Sequence, residues 1–129
     1  MKPSIKVFLT DVDGVLTDAG MYYTESGDEF KKFSTYDGMA FELLRKAGIK
    51  TGILTSENTR IVEARAKKTK ADYLYQGLKH EGKLTAALEI CSLEKVDIKE
   101  VAYIGDDLNC IHLLEKAGLA ACPVNAVAR

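Results

Sequence analysis

The chain lacks several things that would assign it quickly to a class. No apolar run approaches the length of a membrane span, and the first residues show no secretory signal pattern. No excess of either charge sign is present. The net charge of −1 gives no reason to expect nucleic acid or an anionic membrane surface as a partner. There are no internal repeats, low-complexity tracts or linkers. Cysteine is scarce and odd in number. Cys91, Cys110 and Cys122 have no metal-type spacing, which points to reduced thiols in the cytoplasm and to a role as small core filler. The two histidines, His80 and His112, have no motif context that pairs them with a cysteine, so thiol catalysis is not supported.

What is present describes an ordinary soluble globule: 47% hydrophobic and 29% charged residues in 129, read as one domain spanning residues 1–129. The chain is organised around Asp11-Val12-Asp13-Gly14-Val15-Leu16-Thr17, directly behind the apolar run Ile5, Val7, Phe8 and Leu9. Such a run reads as a buried strand, and in an open α/β sheet ligands bind outside the carboxyl ends of strands. Two aspartates one residue apart can divide labour there, one as nucleophile and one handling a proton, with a hard cation screening their repulsion. Alone, the same residues also fit a polar strand-to-turn exit.

After Thr17, the aromatic and β-branched arms around Ser26-Gly27-Asp28 predict a β-hairpin at about residues 19–34. Carrying Tyr22, Tyr23, Phe30 and Phe33, it must pack on its own domain or on a neighbouring subunit, because an isolated hairpin is marginal in water. Met39, Leu43, Leu44 and Ala47 predict a helix over 37–47 with Gly48 at its end. Lys50 to Leu54 reads as a second strand. A helix over 58–68 follows, with Ile61, Val62, Ala64 and Ala66 inward. A short strand at 72–75 leads through a lysine-bearing loop to a helix marked by Leu84, Ala87, Leu88 and Cys91. Residues 101–104 form a fourth strand, Ile111, Leu114 and Ala117 mark a helix ending at Gly118, and 119–122 a last strand. Strands alternating with helices predict a Rossmann-like α/β fold: a parallel sheet, helices on both faces, and the hairpin inserted as a flap after the first strand.

Four strand exits therefore carry polar groups: Asp11 and Asp13; Thr55 and Ser56; the Lys79/Lys83 loop; Asp106 and Asp107. Parallel strands put all four on one edge. Carboxylates from two strands can hold Mg²⁺, a hydroxyl can donate to a phosphate oxygen, a lysine can neutralise it, and a further carboxylate can attack phosphorus in line. Response-regulator receiver domains use a similar inventory, but their lysine follows the acidic residues in chain order. Here the lysine loop precedes Asp106-Asp107, and the third strand exits without an aspartate.

Asp11-Val-Asp-Gly-Val-Leu-Thr, Thr55, Lys83 and Gly105-Asp-Asp resemble the four motifs of the haloacid dehalogenase superfamily. More narrowly, D-V-D-G-V-L-T-D, the aromatic hairpin, Y-L-Y-Q-G and V-A-Y-I-G-D-D resemble its capless phosphatases of 3-deoxy-D-manno-octulosonate 8-phosphate and 2-keto-3-deoxynononate 9-phosphate, from about Ile5 to Val124. The resemblance implies Asp11 as nucleophile and Asp13 as general acid/base. It implies Mg²⁺ held by the Asp11 carboxylate, the Asp13 carbonyl and Asp106, with Asp107 behind them, Thr55 on phosphate, and Lys83 rather than Lys79 as the motif lysine. It implies a small phosphorylated sugar acid as substrate and a homotetramer joined through the hairpin flap.

Ser56-Glu57 stands where octulosonate-type relatives often carry Gly-Arg. Glu57, with Arg65 and Lys68 on the following helix, resembles the nononate type, so the nine-carbon 9-phosphate is the expected substrate and the eight-carbon 8-phosphate the alternative. The plainer alternative makes Glu57 a helix cap and the two bases solvated surface. Two departures stand out: Cys110 occupies a position commonly held by aspartate, and the family's usual C-terminal tail does not follow within these residues. A non-catalytic oligomerisation domain of the same fold is the remaining alternative, disfavoured because Asp11 is retained.

Overall fold

A computed structural model describes residues 5–12, 22–23, 29–30, 35–79, 82–105 and 116–121. Strands β1 (Val7–Thr10), β4 (Lys50–Leu54), β5 (Tyr73–Tyr75), β6 (Val101–Ile104) and β7 (Leu119–Ala121) form one sheet in the order β5-β4-β1-β6-β7. Every neighbouring pair is parallel. β2 (Tyr22–Tyr23) and β3 (Glu29–Phe30) form a separate antiparallel pair with Tyr22 opposite Phe30 and Tyr23 opposite Glu29. The arms of the expected hairpin thus pair as read; its turn lies outside the described residues.

The sheet is a doubly wound arrangement. From β1 the chain moves outward one way through β4 to β5, then returns to β1's other side for β6 and β7, so the connections diverge on either side of β1. In such sheets the crevice at the carboxyl end of that divergence is where ligands bind. Asp11 is the residue immediately after β1.

Helices α1 (Thr35–Lys46) and α2 (Arg60–Thr69) cover one face of the sheet. Val12, Phe41, Ile53, Val62 and Ala66 form the core there, with Phe8, Leu44, Ala71 and Leu74 against it. Phe8 and Phe41 meet edge-on, 6.2 Å between ring centroids. Helix α3 (Gly82–Glu94) covers the other face, packing Ala86, Ala87, Ile90 and Cys91 onto Val7, Leu9, Leu54, Val101 and Tyr103. Alternation along β1 explains the split: Val7 and Leu9 point to one core, Phe8 to the other.

The structure corrects three parts of the helix reading. In α1, Met39 and Leu43 are 60% and 67% exposed, Ala47 is also exposed, and Phe41 is the side chain that inserts. That helix is apolar on two sides, and spacing alone does not say which one meets the sheet. In α2, Val62 and Ala66 are buried as expected and Thr69 joins them, but Ala64 faces solvent. In α3, Leu88 is exposed, and the buried stripe instead includes Lys83. The strands of the main sheet fall where expected to within two residues. Most of the helix expected before Gly118 lies outside the described residues.

No helix among the described residues is long and apolar enough to cross a membrane.

Candidate active site at the carboxyl edge

The carboxyl edge gathers its chemistry around Asp11. Parallel pairing aligns Thr10 with Ile53 on one side and Ile104 on the other, so three strands end together. The Asp11 N–H donates to the Ile104 carbonyl at 3.0 Å, extending the β1–β6 ladder one residue past the strand. Thr10 Oγ1 donates to the Asp11 carbonyl at 2.9 Å. The side chain is held equally firmly: Oδ1 accepts from the Val12 N–H at 2.8 Å, and Oδ2 pairs with Lys83 Nζ at 3.2 Å.

Lys83 is the second residue of α3 and its side chain is 2% exposed, against 6% for Asp11. A cation at a helix N-terminus opposes the helix dipole, and burial adds the cost of lost hydration. The Asp11 carboxylate offsets both. Of the two candidate lysines, Lys83 is the one that meets Asp11, while Lys79 is exposed on the preceding loop.

Thr55, buried at the end of β4, is the next strand's contribution. Its Oγ1 accepts from the Glu57 N–H at 3.2 Å, which directs the hydroxyl's own proton elsewhere and suits it to donate to an anionic oxygen. Its backbone is tied to the neighbouring strand exit, with Thr55 N–H donating to Tyr75 O at 3.0 Å and Leu78 N–H to Thr55 O at 3.1 Å. Ser56 Oγ beside it is buried with no hydrogen-bond partner among the described residues, an orphaned polar atom of the kind a bound ligand satisfies.

Glu57 is half-buried and does not cap α2. The cap is Thr59, whose side chain accepts from the Val62 N–H at 3.2 Å. The Glu57 carbonyl instead accepts from the Gly77 N–H at 2.9 Å. Thr59 N–H donates to Gln76 Oε1 at 2.8 Å. Gln76 was not singled out from sequence as a site residue; its only signal was its place in Y-L-Y-Q-G. Arg65 is half-buried, its Nη2 standing 3.7 Å from where a Cβ on Gly38 of α1 would lie. Lys68 is exposed near the far end of α2, about 12 Å along the helix axis from Arg60. Within one chain it does not join the cluster. Asp13, Asp106 and Asp107 lie outside the described residues, as do Cys110 and Cys122.

Cys91 is buried under α3, where desolvation pushes its thiol pKa up, as expected of core filler. Among the described residues no group of three acidic, histidine or cysteine side chains is poised to hold a metal.

No family model matches the chain. Comparison with individual proteins is more informative. The chain is 35% identical over 125 residues to the 3-deoxy-D-manno-octulosonate 8-phosphate phosphatase of Escherichia coli K12, covering 95% of this chain and 64% of that one. Among solved structures, a HAD superfamily (subfamily III A) hydrolase from Legionella pneumophila superposes with a TM-score of 0.91 at 35% identity, over 96% of this chain and 67% of that one. The octulosonate 8-phosphate phosphatase from Moraxella catarrhalis, solved with magnesium ion, phosphate ion and KDO, superposes at 0.90 and 33% identity, over 95% and 70%. This chain belongs to that phosphatase family of the haloacid dehalogenase superfamily. Family membership accounts for the doubly wound sheet and for the strand exits on which the motif residues sit. The chain spans just under two thirds of the E. coli relative's length.

Proposed function

We propose that this chain is a phosphomonoesterase that hydrolyses a phosphorylated ulosonic acid through an aspartyl-phosphate on Asp11. One observation carries the reading: a buried carboxylate, held by a backbone N–H and a buried lysine, stands at the divergence point of the sheet. A carboxylate fixed there is presented in one orientation, as in-line attack requires. In the proposed reaction an Asp11 oxygen bonds to phosphorus as the ester P–O bond breaks, and Asp13 delivers a proton to the leaving sugar oxygen. Water then attacks phosphorus, gives its proton to Asp13, and releases phosphate and free Asp11. Thr55 donates to a non-bridging oxygen, and Lys83 offsets the negative charge gathered around Asp11.

The residues fit a magnesium ion. The Asp11 carboxylate and the motif's other donors, the Asp13 carbonyl and Asp106, are hard oxygens of the type Mg²⁺ takes. Bound there, the ion neutralises phosphoryl charge and relieves repulsion between carboxylates.

Two substrates are in view. The names of the relatives support the eight-carbon 3-deoxy-D-manno-octulosonate 8-phosphate. The nine-carbon 2-keto-3-deoxynononate 9-phosphate is favoured by the half-buried Glu57, held at the Thr55 turn through its own backbone rather than spent as a helix cap. Phosphate release from both acids and from a small aryl phosphate, with magnesium and with chelator, distinguishes them. Turnover of either acid with magnesium supports the reading, and higher kcat/KM names the substrate. Absence of turnover on every ester supports the non-catalytic alternative. Assembly into a homotetramer through the hairpin remains part of this proposal, supported by its aromatic sequence; sedimentation of the parent tests it, and a monomer at micromolar concentration counts against it.

A further inference from the structure

The turn that carries Thr55 does not hold its shape by itself. Thr55, Ser56 and Glu57 run from the end of β4 to the cap of α2 at Thr59, and this stretch is tied rung by rung to the exit of β5. The Thr55 N–H reaches Tyr75 O at 3.0 Å, the Leu78 N–H reaches Thr55 O at 3.1 Å, and the Gly77 N–H reaches Glu57 O at 2.9 Å. All of these are backbone bonds, available to almost any sequence. The fourth tie is different: the Thr59 N–H donates to the side-chain oxygen of Gln76 at 2.8 Å.

That bond has a particular consequence. Thr59 is extended (φ −135°, ψ 154°), and its own side chain serves the Val62 N–H at 3.2 Å. Gln76 therefore satisfies a backbone donor of the cap residue that α2 itself does not serve, and fixes where the helix begins relative to β5. The turn is short. Its upstream end is pinned by the β4 ladder and its downstream end by Gln76, so the bond from Glu57 N–H to Thr55 Oγ1 at 3.2 Å has little freedom to break. The same bond occupies an acceptor lone pair of the Thr55 hydroxyl and leaves its proton to be donated elsewhere.

We infer that Gln76 is a positioning residue for phosphate: its side-chain oxygen holds the start of α2 so that the Thr55 hydroxyl presents a donor to an anionic ligand. The inference rests on the reading of Thr55 as a phosphate contact. It gives function to a residue at the exit of β5.

The test is binding of inorganic phosphate in the presence of magnesium, measured by calorimetry on the full chain. It compares the parent, Gln76→Met, Thr55→Val and the double variant. Methionine keeps the length of glutamine and lacks the acceptor oxygen. Loss of one hydrogen bond's support weakens phosphate about tenfold in Gln76→Met. If Gln76 acts through Thr55, that loss disappears in the Thr55→Val background, so the two effects are non-additive. A merely structural glutamine gives additive losses, or none, and overturns the inference. Amide exchange at Thr59 guards against a misfolded variant: it speeds up in Gln76→Met and returns toward the parent rate in Gln76→Glu, which restores an acceptor oxygen. Unchanged exchange in Gln76→Met overturns the inference as well. Failure of the parent to bind phosphate at all is a distinct result, and overturns the phosphate-site reading beneath it.

Discussion

Lys83 and Asp11 show what a buried ion pair asks of its neighbours. Neither side chain has water enough to solvate its charge, and the lysine sits where the α3 dipole disfavours it. Replacing Lys83 by methionine leaves a buried carboxylate without its cation. In metal-free buffer that costs about 3–5 kcal/mol, a fall in Tm of roughly 10–20 °C. The double variant Asp11→Asn/Lys83→Met removes both charges and is expected to recover much of the loss, which thermal melts of the two variants check. A second pairing acts at the sheet's edge, where the Tyr73 hydroxyl donates to the Glu94 carboxylate of α3. That hydrogen bond, together with burial and the negative charge of Glu94, pushes the Tyr73 pKa up to about 12. A folded-state pKa above the unfolded value of about 10 favours the folded chain below that pH. The contribution is lost as pH rises from about 10 toward 12. Tyrosinate absorbance is expected to show a late-titrating group that is missing in Tyr73→Phe.

At the scale of elements, the ends of the strands carry the chemistry and the joints between elements carry the tolerance to change. The 3₁₀ turn Ile98–Glu100 enters β6 through a capping box: Asp97 accepts from the Lys99 N–H at 3.0 Å, and Glu100 accepts from the Asp97 N–H at 2.9 Å. That backbone hydrogen bond first, then Lys6 at 3.2 Å, lowers the Glu100 pKa. A depressed carboxylate stabilises above its unfolded pKa and loses that contribution as pH falls through its folded value. Glu100→Gln is therefore expected to flatten the acid limb of a stability-against-pH curve. Gly118 meets the same turn. A Cβ there would fall 1.7 Å from the Lys99 carbonyl oxygen, so Gly118→Ala forces the two backbones apart and is expected to cost more than about 2 kcal/mol, read from denaturant midpoints. From sequence, Gly118 reads only as a helix end, because the close approach is to a residue 19 positions away.

The order of strands and helices was legible because apolar runs and turn residues are local signals. Which face of a helix goes inward was less so. The α1 sequence offers Met39 and Leu43 on one side and Phe41 with Leu44 on another. Phe8, arriving from β1, selects the second. The same division holds at the site. Asp11, Thr55 and Lys83 could be named from motif and spacing, whereas Gln76 could not, since its meaning lies in a hydrogen bond to the Thr59 amide across the sheet edge.

For the molecule as a whole, one doubly wound sheet sets the architecture, and two separate cores on its faces leave the carboxyl edge for function. Everything proposed at that edge depends on Asp11 forming a bond to phosphorus. The direct measurement is to quench the magnesium-loaded chain in acid during turnover of an ulosonic acid phosphate and to map the phosphorylated peptide by mass spectrometry. A phosphoryl group on the peptide containing Asp11, absent from Asp11→Asn together with turnover, is the expected result. A phosphoryl group on another residue, or turnover by Asp11→Asn at the parent's rate, would contradict it.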